Sequence, residues 1–340
     1  MVQLFLESDR VAELVAHLMK QKSVFAPHAK GRKSFAFEEV KDPSAAVLDY
    51  PRVMHSIRKF FFPPQETLMT FDLKENTCSV AETPAADAIF FGVHSYDLGA
   101  VHRLDYNFSE GNPEKNYIAR RQGAVFVGVS YKPDEFHFSG SVGIDPYDTA
   151  GFDIFLTKLL DGYIVEALTP VGEGLLDGIE LPAHEAGKPA RGHFQQHIYL
   201  PQAKLGQVMD GSYQNEVWDD TAKKCVGCGT CNLVCPTCYC FTVEDEVNVQ
   251  VTGGSRDRRW DGCMLRDFSA VAGGEVFRET LAERQRHRVF RKFKYISDET
   301  GQPWCVGCGR CTACCTAGIS IVNIINRLVG DYEKVAVTPI

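Results

Sequence analysis

Between Val11 and Met19 the apolar residues Val11, Leu14, Val15, Leu18 and Met19 recur with the i, i+3, i+4 rhythm of an amphipathic helix. Ser8 or Asp9 is placed to cap it. Apolar runs rich in β-branched and aromatic residues follow at 68–73, 88–93 and 124–129, punctuated by Gly, Pro or Asp, and predict strands. The stretch 152–168 fits strand, helix or both. Residues 182–201, with Gly187-Lys188-Pro189 and little periodicity, predict a linker into the second part of the chain. In that part the basic run 278–294 reads as helical at least in part. Ile319, Val322, Ile325, Leu328 and Val329 mark a short helix near the end.

Composition bounds the possibilities. A chain of 340 residues, 44% hydrophobic and 24% charged, has room for about two domains and is neither disordered nor fibrous. Its apolar runs stop far short of the ~18–20 residues that span a bilayer. The opening residues offer no basic segment followed by an apolar core, so the expectation is no signal peptide, no membrane association and a cytoplasmic location. Thirty-six Lys and Arg against 44 Asp and Glu leave a net charge of −8, which argues against a nucleic-acid binder. Thirteen cysteines change the picture: Cys78 stands alone early, and the other twelve fall between Cys225 and Cys315. A reducing compartment disfavours structural disulfides, so this concentration points to metal or redox chemistry.

An internal repeat organises those cysteines. Cys225-Val226-Gly227-Cys228-Gly229-Thr230-Cys231 returns as Cys305-Val306-Gly307-Cys308-Gly309-Arg310-Cys311, and Cys235 returns as Cys315 with the same offset. Cys-x2-Cys-x2-Cys-x3-Cys is the bacterial-ferredoxin spacing for [4Fe–4S] clusters, in which the fourth cysteine ligates the other cluster. The expected ligand sets are therefore Cys225, Cys228, Cys231 and Cys315 for one cluster, and Cys305, Cys308, Cys311 and Cys235 for the second. Structural zinc, the alternative for Cys-x2-Cys pairs, seldom uses three cysteines at consecutive spacing twice over. Pro236 follows Cys235 as the pattern expects, while Thr316 stands at the matching position after Cys315. Cys314 would replace Cys315 if the loop were shorter, but the repeat register favours Cys315.

Three more cysteines of the module, Cys238, Cys240 and Cys263, are either a possible third iron–sulfur centre or buried thiols acting as small hydrophobes. Cys78 reads as a lone packing or surface residue. The run 278–294 has seven Lys or Arg against two Glu. It is either a solvated helix face or a face that offsets cluster charge, raises cluster potential or docks an acidic partner. No nucleophilic triad or phosphate loop stands out, and His94, His102 and His137 read as isolated structural residues. The fold expected is α+β: a mixed α/β domain over 1–200, then a ferredoxin-like module of two [4Fe–4S] clusters over 201–340 with a helical insertion between its cysteine motifs.

The run Cys225-Val-Gly-Cys-Gly-Thr-Cys-Asn-Leu-Val-Cys-Pro-Thr-Cys-Tyr-Cys-Phe241 resembles the dicluster iron–sulfur subunits of anaerobic sulfite reductase and the beta subunits of sulfhydrogenase. So do Trp260-Asp261-Gly262-Cys263, Ala272-Gly273-Gly274, the basic run 284–294, the 305–315 motif, and upstream the segments 62–68 and 92–98. The resemblance implies an electron-transfer subunit between a flavin- and NAD(P)H-binding subunit and a catalytic subunit. That catalytic subunit would be a sirohaem sulfite reductase, a hydrogenase or a heterodisulfide-reductase-like assembly, working anaerobically. The other class of function left open is a catalytic iron–sulfur enzyme acting on a sulfur compound at a Cys238/Cys240/Cys263 centre. Where relatives carry cysteines in the first domain, this chain has Tyr96, Tyr131, His137 and Ser139. If those cysteines hold a cluster in relatives, the expectation is that it is absent here.

Overall fold

The computed structural model describes residues 3–184, 189 and 191–337. Of the expected linker, Gly187 and Lys188 lie outside the described residues; Pro182 is tied back to the first strand by its carbonyl, which accepts from the Phe5 N–H at 2.9 Å.

The first part is a seven-stranded sheet built from β1 (Leu4–Glu7), β2 (Ser23–Ala29), β3 (Phe35–Glu39), β6 (Ala88–Val93), β7 (Val125–Val129), β8 (Ile154–Lys158) and β9 (Gly162–Ala167). Its order is β1-β9-β8-β7-β6-β2-β3. The central strands β2, β6, β7 and β8 run parallel, and β3 and β9 are antiparallel to their neighbours. A parallel sheet is covered on both faces, which is why its strands appear in the sequence as unbroken apolar runs. Alternate residues go to opposite sides. Ile89, Phe91, Val127, Ile154 and Leu156 pack under α1 (Val11–Met19) through Leu14, Val15 and Leu18. Phe90, Phe126 and Phe155 pack on the other side against Leu98, Val101, Leu104 and Phe108 of α2 (Ser95–Ser109). The stretch 152–168 is the β8–β9 hairpin, two strands and no helix.

A second, four-stranded antiparallel sheet has the order β10-β11-β4-β5, with β4 (Gln65–Asp72), β5 (Thr77–Val80), β10 (Phe241–Val247) and β11 (Gly253–Trp260). It joins both halves of the chain, since β11 pairs with β4 over Gln65–Asp72. This ladder ties the segment before residue 200 directly to the segment after it. The insertion between the cysteine motifs begins with the β10–β11 hairpin and only then becomes helical, in α3 (Leu281–Phe290). Thr280 and Glu283 close a reciprocal capping box at its start, satisfying two of its otherwise orphaned N–H groups. The helix continues through a π-turn, Arg291–Tyr295, into Ile296–Thr300 and stops at Gly301.

The closing helix α4 (Ile321–Val337) is 17 residues long, more than the short helix expected. Ile321, Val322, Ile325, Leu328 and Val329 bury its apolar face against Leu205, Val208, Trp218, Val289 and Phe290. This third core carries the cysteine loops. The carboxyl ends of β6 and β7 lead into His94–Asp97 and Ser130–Ser139, and the second cysteine loop docks there, in the crevice position where ligands of parallel sheets are bound.

Candidate iron–sulfur centre

Both cysteine loops repeat one backbone shape. Gly227 and Gly229 in the first, and Gly307 and Gly309 in the second, all have φ between 64° and 73°. The left-handed glycines wrap the chain so that an N–H points back at the first sulfur: Gly227 N–H lies 3.4 Å from Cys225 Sγ, and Gly307 N–H 3.5 Å from Cys305 Sγ. Gly229 and Gly309 then begin the short helices Thr230–Leu233 and Arg310–Ala313, which pack on each other.

The repeat brings distant cysteines together. Cys225, Cys228, Cys231 and Cys315 line one cavity, which Cys311 of the second loop also lines, with Met264, Gln285, Arg288 and Ile319. Cys314 is not among the lining residues; it lies half-buried near Arg52, Arg310 and Cys311. Gln285 Nε2 sits 3.3 Å from Cys225 Sγ, and the Ile319 N–H 3.4 Å from Cys315 Sγ. The other group is Cys305, Cys308, Cys311 and Cys235, whose sulfurs feel one another's charge. Burial, reinforced by the charge of neighbouring sulfurs, pushes Cys308 up to about 11 and Cys231 up to about 12. Sulfurs so enclosed are anionic only with a cation or metal to hold the charge.

The donor set fits [4Fe–4S] clusters. The cysteine-lined cavity and the neighbouring second loop offer clustered sulfurs with backbone N–H groups aimed at the first sulfur of each loop. Among the described residues no three Cys, His, Asp or Glu side chains converge on the position of a single ion. Four thiolates around a cubane stand further apart than four around one zinc.

The two loops differ in exposure. Val226 is 69% exposed and Cys228 is exposed, so the first loop opens outward. The second is sealed by the first domain. The Phe138 N–H donates to the Gly307 carbonyl at 2.9 Å, and a Cβ on Gly309 would stand 2.4 Å from the Phe136 carbonyl. Arg310 and Asp97, both 0% exposed, form a bidentate ion pair with two 2.7 Å bonds, and Arg310 Nε also donates to the Val53 carbonyl. Arg103 Nε reaches the Pro303 carbonyl at 3.0 Å.

Cys238, Cys240 and Cys263 do meet. Asn232, nearly fully buried, lies between two of them, its amide nitrogen 3.7 Å from Cys238 Sγ and 3.5 Å from Cys263 Sγ, while its oxygen accepts from the Met264 N–H. The Cys238 thiol donates to Cys235, which holds Cys235 low and Cys238 high. Cys78 is exposed on β5.

Tyr96, Tyr131, His137 and Ser139 also converge. The rings of Tyr96, Tyr131 and His137 stand 4.9 to 5.3 Å apart, and Tyr131 Oη and Ser139 Oγ are 2.6 Å apart. With His94 they fill the space beside Cys308, so His94 and His137 are members of one buried aromatic group and not isolated residues. Burial holds both histidines well below their usual range. His102 instead lines a cleft of about 390 Å³ with Arg103, Tyr106 and Trp304.

Sequence reading missed Asn232, the Asp97–Arg310 pair, Arg58, which donates to the Cys238 and Leu233 carbonyls, and Trp304, whose Nε1 donates to the Thr237 carbonyl, because each has a partner remote in the chain. The basic run did carry a signal: Arg284, Arg288 and Lys292 recur every four residues, and all three are buried.

The family model for the 4Fe-4S dicluster domain matches residues 224–319. The chain is 33% identical over 333 residues, 95% of its own length and 97% of the relative's, to Sulfhydrogenase 2 subunit beta of Pyrococcus furiosus. No solved structure matches.

Proposed function

Because this chain belongs to the sulfhydrogenase beta-subunit family of iron–sulfur electron-transfer proteins and carries two [4Fe–4S] clusters in its dicluster domain, we propose that it relays single electrons between two partner subunits of one oxidoreductase complex. The partners proposed are a flavin- and NAD(P)H-binding subunit and a catalytic subunit acting on sulfite, hydrogen or a heterodisulfide, in a cytoplasmic, anaerobic setting. In this reading Cys225, Cys228, Cys231 and Cys315 hold one cluster, and Cys305, Cys308, Cys311 and Cys235 hold the other. The observation that carries it is the cavity, also lined by Cys311, in which Cys315 joins the three cysteines of the first loop, the repeat register deciding which of the two belongs to that set.

Each cluster, when bound, supplies a one-electron carrier, and a flavin converts hydride pairs to single electrons. The protein does the rest. Left-handed glycines direct N–H groups at sulfur, the Asp97–Arg310 pair pins the second loop to the sheet, and residues 136–139 shield it from water. The exposed first loop is where an external redox partner can approach. No helix among the described residues is long and apolar enough to cross a membrane.

Anaerobic iron and sulfide analysis of the purified chain, followed by rapid-mixing reduction, tests the reading. Two clusters' worth of iron and sulfide, with reduction by NAD(P)H only when the flavoprotein is added, is the expected result. Stoichiometric zinc without iron would overturn the ligand sets. Turnover of polysulfide, sulfite or a disulfide by the isolated chain with an artificial donor would overturn the relay. Iron beyond two clusters that is lost in Cys263→Ala would make Cys238, Cys240 and Cys263 ligands of a third centre.

A further inference from the structure

We infer that Arg288 and Lys292 are buried counter-charges that set the electron affinity of the two clusters, Arg288 acting on both and Lys292 on the one assigned to Cys235, Cys305, Cys308 and Cys311. This rests on the ligand sets proposed above. The two residues lie one turn apart where α3 passes into the π-turn, and they are only 5% and 7% exposed. Long cationic side chains are rarely buried so deeply unless they are paired.

Their surroundings contain no carboxylate pair. Arg284, one turn earlier, spends its donors on the carbonyls of Met264, Glu279 and Thr280. Arg288 has no such partner among the described residues; it lines the cavity of Cys225, Cys228, Cys231 and Cys315, which Cys311 lines too, and the groups it feels most are Cys231 and Cys311, then Cys235 and Cys263. It thus faces sulfurs of both proposed sets. Lys292 Nζ donates to Thr237 Oγ1 at 2.6 Å and lies 3.3 Å from the Thr237 carbonyl, with Cys235 and Cys305 among its charge neighbours. Burial alone would lower both cations, and the sulfurs outweigh it. Arg58 has a different role: its donors go to the carbonyls of Cys238 and Leu233, and it stacks on Trp260 at 3.6 Å.

A buried charge costs several kcal/mol unless an opposite charge compensates it. A thiolate-ligated cluster is that opposite charge, and it becomes more negative by one on reduction. A fixed cation in a low-dielectric interior therefore favours the reduced state and raises the potential. Because Arg288 is shared, its loss moves both clusters together. Lys292 is private, so its loss changes the gap between them.

The test is an electron paramagnetic resonance redox titration of the anaerobic full-length protein carrying Arg288→Gln, Lys292→Gln or Arg288→Lys. Arg288→Gln should lower both midpoints, each by at least about tenfold in the reduced-to-oxidised ratio, a decade being about 59 mV for one electron. Lys292→Gln should lower only the midpoint of the cluster whose signal is altered in Cys235→Ala, and Arg288→Lys should keep both near wild type. Glutamine variants that retain both clusters at unchanged midpoints overturn the inference. So does an Arg288→Lys variant shifted as far as Arg288→Gln, since charge would then not be the cause. If both glutamine variants lose their clusters, Arg288→Lys decides, and lowered midpoints there overturn it. A wild-type protein without two clusters would instead defeat the ligand sets, which separates the two failures.

Discussion

Cys314 and Cys315 are adjacent in the chain and have different surroundings. Cys315 opens into the cavity of the first loop and accepts an N–H from Ile319; Cys314 faces Arg52 and Arg310. Cys315→Ala should therefore disturb the cluster assigned to Cys225, Cys228 and Cys231, although it lies far from them in the chain. Loss of that cluster or its conversion to a three-iron form, read by electron paramagnetic resonance, is the expected signature. Destabilisation should accompany it, since metal binding is coupled to folding. Cys314→Ala should leave both signals intact. A defect in Cys314→Ala alone would shift the register by one residue and realign Thr316.

At the scale of the element, two loops of the same shape sit in unlike surroundings. Gly229 and Gly309 have nearly equal φ, 73° and 71°, so an alanine at either meets the same left-handed strain of about 1–2 kcal/mol. A Cβ on Gly229 would press on the Leu265 side chain, which can turn away. On Gly309 it would meet the Phe136 carbonyl, which is backbone and cannot. Gly309→Ala should consequently lower the thermal midpoint of the cluster-loaded protein clearly more than Gly229→Ala does, as differential scanning calorimetry would show. It should also make the second cluster more accessible to oxidants. Equal losses in the two variants would mean that the seal of the first domain over the second loop contributes little.

Over the whole molecule, the crossed ligand sets proposed above would make the last core depend on metal, each half of the repeat supplying the other's fourth sulfur, whereas the seven-stranded sheet has apolar cores on both faces. Removing iron anaerobically with a chelator should release the amides of the two cysteine loops and of α4 to hydrogen exchange. Those of β6, β7 and β8 should stay protected. Loss of protection in all of them together would mean that the shared β4–β11 ladder and the buried Asp97–Arg310 pair fuse the chain into one cooperative unit.

What the sequence determined by itself was whatever depends on local spacing. The helix at Val11–Met19 was legible from its apolar rhythm and β6 from its apolar run. The cysteine repeat was legible from its offset, because a loop that places three sulfurs around one centre needs its cysteines at fixed short intervals. The β10–β11 hairpin was missed, since both strands are strongly charged and β10 is largely exposed, with only the alternation of Phe241, Val243 and Val247 to mark it. Nor could spacing show that the basic run turns Arg284, Arg288 and Lys292 inward: a charged stripe every four residues fits a wet face as well as a buried one. Only the tertiary structure decided that, along with the pairing of Asp97 with Arg310 and the gathering of Tyr96, Tyr131 and His137 beside Cys308. Charge and burial at those positions depend on residues well outside the local run, from 20 places away for Arg284 and Met264 to 213 for Asp97 and Arg310, and no local pattern carries that information.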